Sequence, residues 1–113
     1  MTGEWEYGRY WDMDAYFGPA VGEALRGAHV AGVGYLAVAH LVRAEAGRGL
    51  VRFSVVNTSD RYVIHTAQYP ADAFESRQAS IRLARDGYGT VLWDECETDC
   101  WTALALPEPA EEW

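Results

Sequence analysis

Lysine is absent from this chain; all nine basic residues are arginine, which reads as coding bias rather than mechanism. Cysteine is scarce, with two in 113 residues, so a disulfide-dense scaffold is excluded. Long apolar runs are missing as well. The longest, VAGVGYLAVAHLV over residues 30–42, contains His40 and falls short of the about 20 residues that a spanning helix needs. The opening MTGEWEYGRYWDMD carries acids and aromatics where a secretory leader would carry a basic region and an apolar stretch. A cytoplasmic location, no membrane partner and reduced thiols are therefore expected.

Positive charge is absent from the last quarter. Residues 1–85 hold nine acids and nine arginines and sum to zero. Beyond Arg85 there is no basic residue. Asp86, Asp94, Glu95, Glu97, Asp99, Glu108, Glu111 and Glu112 supply the whole net charge of −8. Binding to a nucleic-acid backbone needs the opposite sign, so no nucleic-acid partner is expected.

Apolar residues are plentiful: half the chain is hydrophobic, enough for a core without metal or disulfide. The spacing predicts one α+β domain over residues 1–106 and a short acidic tail over 107–113. A helix is expected from about Asp14 to Arg26, with Pro19 a candidate first helical position. Residues 33–45 fit helix or strand, and strand is preferred. LVRFSVVN and YVIHTAQY read as a hairpin around Ser59-Asp60, with Val55 opposite Ile64, Phe53 opposite Thr66 and Ser54 beside His65. Asp72 and Glu75 form a capping-box pattern ahead of a second helix, with Phe74, Ile81 and Ala84 on one face and Gly87 as its stop. TVLWDEC and CWTALAL form a last hairpin around Glu97-Thr98-Asp99. The expected fold is a mostly antiparallel sheet of about five strands with two helices on one face, in the order α-β-β-β-α-β-β. The uncovered face would take the N-terminal segment or a second copy, so a homodimer is expected.

The candidate sites carry competing readings. DECETDC (residues 94–100) sets Cys96 and Cys100 across a three-residue loop. Zinc would need a second ligand pair, and His29, His40 and His65 are scattered. A reactive thiol would need a nearby positive charge, and four carboxylates stand there instead. A cross-hairpin disulfide would close a very short loop. Packing of two small residues in an acidic turn is the simplest account, with no metal and no cofactor. GVGYLA (residues 32–37) matches a dinucleotide fingerprint but lacks a full preceding strand and a following acid. Ser54 and His65 could be a nucleophile and base, yet no carboxylate is expected to orient the ring, and a surface cross-strand contact is the plainer reading. The favoured expectation is a small acidic protein of inhibitor or immunity type. It would bind a basic protein partner through Asp94, Glu95, Glu97 and Asp99, with Trp93 and Trp101 as apolar anchors. The alternatives are a small-molecule binder or small enzyme with an aromatic-lined pocket, and a homodimeric accessory protein.

Overall fold

The structure is a computed structural model that describes residues 8–9, 18–43 and 49–107. From Pro19 onward the order is the expected one: α1 (Pro19–Val30), β2 (Tyr35–Arg43), β3 (Gly49–Asn57), β4 (Tyr62–Pro70), α2 (Ser76–Arg85), β5 (Tyr88–Glu97) and β6 (Cys100–Pro107). A two-residue strand, β1 (Gly8–Arg9), pairs with β4 and adds a sixth member. The sheet order is β1-β4-β3-β2-β6-β5, antiparallel throughout. The rest of the N-terminal aromatic segment, including the first four residues of the expected helix, and the tail after Pro107 lie outside the described residues.

The helices do not share a face. β2 is flanked by β3 and β6, and its side chains alternate between two cores. Ala37, Ala39 and Leu41 pack with Ala79 and Leu83 of α2. Leu36 and Val38 pack with Val21, Leu25 and Ala28 of α1. This two-sided burial corrects the expectation of two helices on one face, and it explains why YLAVAHLV reads as a nearly continuous apolar run. Each fully buried Leu or Val stabilises the fold by about 1.5–3 kcal/mol. The face expected to require a second copy carries α1 instead.

Local signals place the helix ends. Gly18, at φ 100°, precedes Pro19 at the start of α1. At its C-terminus the Gly32 and Val33 amides donate to the carbonyls of His29 and Ala28, with Gly32 at φ 84°. That is a Schellman cap, and it accounts for the first glycine of GVGYLA. A helix, not a strand, precedes that motif, so the dinucleotide reading falls. Gly87 ends α2 as expected, at φ 97°. The capping box does not form. Glu75 is the N-cap and makes no side-chain cap bond, while Asp72 accepts from the Gly49 amide at 3.3 Å. The buried stripe of α2 is Ala79 and Leu83; Ile81 and Ala84 are exposed.

Candidate interaction surface at the last hairpin

β5 is the outermost strand on its side of the sheet, and among the described residues it pairs with β6 alone. Its ladder is broken twice. One irregularity lies between Val91 and Asp94, where Leu92 takes φ 63°; the second lies between Glu95 and Glu97. Bulges on an edge strand twist it out of line and blunt its capacity to add another strand. The turn residue Asp99 is also left-handed, at φ 60°, and its carbonyl accepts the Leu41 amide at 3.0 Å, which docks the hairpin tip against β2.

The four acids are close in sequence and divided in space. Asp94 is paired with Thr102, and Glu95 with Trp101. These positions fall on opposite faces of the strand, and both side chains are exposed. Glu97 points at α1: its Oε2 lies 2.7 Å from where a Cβ on Gly18 would stand. A carboxylate there faces the positive end of a helix that has no side-chain cap and no acid in its first turn. Asp99 is only half exposed and lines a cleft. The expected crowding of four acids therefore reduces to Asp94 and Glu95 at the exposed edge.

The tryptophans lie beneath α2. Trp101 stacks on Phe74 with ring centroids 4.3 Å apart and planes at 15°. Trp93 meets Phe74 edge-on at 5.2 Å, and its indole N–H donates to Ser80 Oγ at 2.9 Å. Ser80 and Thr90 hydroxyls bond at 2.9 Å, which completes the chain. Both indoles are half-buried against the core that holds Phe53 and Leu83. These contacts use the aromatic faces to fill space.

The exposed apolar groups of this edge are aliphatic. Val91 is 50% exposed, Leu92 75% and Leu106 54%. Leu106 pairs with Gly89, and Val91 with Leu104, so Leu106 and Val91 are diagonal neighbours on one face. Asp94 lies two residues beyond Leu92, at the far side of the first irregularity. Sequence reading missed this patch, although a signal was present. Val91-Leu92-Trp93 is a run of three apolar residues in a strand that is half-exposed, and period-two alternation cannot turn all three inward.

Cys96 and Cys100 face the α1 side, with their Sγ atoms 3.5 Å apart. Burial pushes the Cys100 thiol well above its ordinary range, and the neighbouring Cys96 and Glu97 push it further. Among the described residues no cluster of three His, Cys, Asp or Glu surrounds a common point.

Ser54 and His65 are separated by the sheet. The expected register holds at Val56↔Val63, but an irregularity then shifts β4 by one residue, giving Val55↔His65 and Ser54↔Thr66. His65 lies on the α2 face. Its Nε2 is 2.9 Å from Asp86 Oδ2, and its ring is 5.5 Å from Tyr88. Asp86 is the orienting carboxylate that sequence reading did not find, but it serves a histidine on the face opposite Ser54. Ser54 lies on the α1 face in a cleft of about 420 Å³ that His40, Arg52, Thr98 and Asp99 also line. Burial lowers the His40 pKa, Glu97 opposes that shift, and Arg52 adds to it. A second cleft, about 370 Å³, lies between the end of β4 and α2. There Arg82 covers the Tyr69 ring at 4.1 Å, and the buried Tyr69 hydroxyl finds no hydrogen-bond partner among the described residues. Among the described residues, neither Trp93 nor Trp101 lines either cleft. No protein-family model, curated protein or solved structure matches this chain.

Proposed function

We propose that this protein is a non-catalytic binding module that holds a basic protein partner on the outer edge of its last hairpin. The observation that carries the reading is the exposed run along one edge strand: Val91 and Leu92, with Leu106 beside Val91, are followed by the exposed acids Asp94 and Glu95, one on each face of the strand. Apolar contacts at the centre of such a patch would slow release, and the acids at its rim would speed encounter with a basic surface. In this reading Trp93 and Trp101, first expected as anchors, act as the support that seats β5 and β6 against Phe74 and α2.

Two observations narrow the partner. The bulges disfavour strand addition along β5, so recognition runs through side chains rather than a shared ladder. A second copy meeting this edge would set acids against acids in a chain of net charge −8. A basic partner of inhibitor–target or immunity type fits that charge. Catalysis is disfavoured because Ser54 and His65 lie on opposite faces. Among the described residues no helix is long and apolar enough to cross a membrane; a cytoplasmic site of action is part of the proposal.

The test is affinity capture from the native host with three baits: the wild type, Leu92→Ser/Leu106→Ser, and a control altered on exposed α1 residues, Glu23→Gln/Arg26→Gln. The expected result is a protein of basic isoelectric point held by the wild type and the control and lost from the double serine variant. A partner held equally by all three places the binding surface elsewhere.

A further inference from the structure

Cys96 is the extra residue of the second β5 irregularity, since Glu95 pairs with Trp101 and Glu97 with Cys100. Glu95 lies opposite Trp101 on the α2 side, so alternation turns Cys96 to the α1 face beside Cys100. The two Sγ atoms are 3.5 Å apart, and the Cys96 thiol is also 3.5 Å from the Cys100 carbonyl oxygen. A disulfide requires about 2.05 Å between sulfurs. The remaining approach is about 1.5 Å by difference from that length.

We propose that Cys96 and Cys100 form an oxidisable dithiol, which closes to an intramolecular disulfide by exchange with a low-molecular-weight disulfide. Cys96 is half-exposed and Cys100 only 1% exposed, so the first attack falls to Cys96. Its thiolate attacks one sulfur of the reagent; the reagent's S–S bond breaks, a mixed disulfide forms, and one thiolate leaves. The Cys100 thiolate then attacks the Cys96 sulfur; the mixed disulfide breaks, and the second thiolate leaves. Two electrons pass from the two cysteines to the reagent, and the two cysteine protons end on the two released thiols. The high thiol pKa of Cys100 makes the second step the slower one. The closed bond ties the edge strand β5 to β6 inside the native hairpin. This inference is independent of the partner proposed above, because it rests on the geometry and exposure of the two cysteines and not on the charge of the edge.

The experiment equilibrates the reduced chain in glutathione buffers of increasing disulfide content, then quenches, alkylates and weighs the intact protein. The wild type is expected to pass from two alkylated thiols to none, with no glutathione retained. Half-conversion should not depend on protein concentration. Cys100→Ser, which cannot complete the second step, should retain one glutathione. A wild-type chain that stops at the glutathione adduct, or keeps two free thiols in the most oxidising buffer, overturns the proposal. Loss of the native circular dichroism spectrum on closure also overturns it, because the bond is placed within the folded hairpin.

Discussion

Replacing Trp101 with alanine separates a supporting ring from a docking anchor. The indole is stacked on Phe74 at 4.3 Å and belongs to the core beneath α2. Truncating a fully buried tryptophan costs about 3–5 kcal/mol. Trp101 is half-buried, so about 2–3 kcal/mol is expected, of which the stack accounts for about 0.5–1.5 kcal/mol. For a domain of this size, about 4 °C per kcal/mol lowers Tm by about 10 °C. Combining Trp101→Ala with Phe74→Ala in a double-mutant cycle should give a coupling of about 1 kcal/mol, since each truncation removes the same stack. Urea unfolding followed by circular dichroism measures all of these. If Trp101→Ala unfolds within about 0.5 kcal/mol of the wild type, the cost is that of an ordinary surface substitution. The same holds if the two truncations simply add. Either result would refute the supporting role and return Trp101 to the candidate anchors.

Two further outcomes follow from the α1 side. Gly18→Ala adds a Cβ at φ 100° into the space held by the Glu97 carboxylate, and should cost about 1–3 kcal/mol in urea unfolding. A Glu97→Ala background should relieve part of that cost, and equal penalties in both backgrounds would contradict the contact. His40 is lowered from 6.5 chiefly by burial, so the fold prefers its neutral ring. The unfolded chain takes up the proton first. The stability from His40 is therefore complete above pH 6.5 and falls as pH drops toward the folded value. His40→Asn should flatten the urea midpoint against pH just below 6.5, and an unchanged slope would contradict the assignment.

The fold was largely legible in the sequence because its strands and its second helix are strongly patterned. Residues 33–45 were ambiguous for a physical reason: a strand buried on both faces loses the alternation that identifies strands, and its alanines favour helix equally. The same ambiguity hid the opposite placement of the helices. The irregularity after Val56↔Val63 carries no glycine to mark it, and one extra residue was enough to move His65 across the sheet from Ser54. On β5 the proximity of the cysteines and the shared face of Trp93 and Trp101 were readable from the hairpin. Which hydrophobics the bulges would expose was not, because Leu92 adopts a left-handed backbone that propensity does not anticipate.

The central claim is that the outer edge of β5 meets a basic partner, and association kinetics test it most directly. The captured partner would be mixed with the wild type, with Asp94→Asn/Glu95→Gln and with Leu92→Ser/Leu106→Ser at low and high salt. Neutralising the two acids should slow association by about threefold to tenfold at low salt, with the difference closing at high salt. The serine variant should associate at nearly the wild-type rate and dissociate faster. An association rate unchanged by neutralisation at low salt, together with an unchanged dissociation rate in the serine variant, would contradict the account.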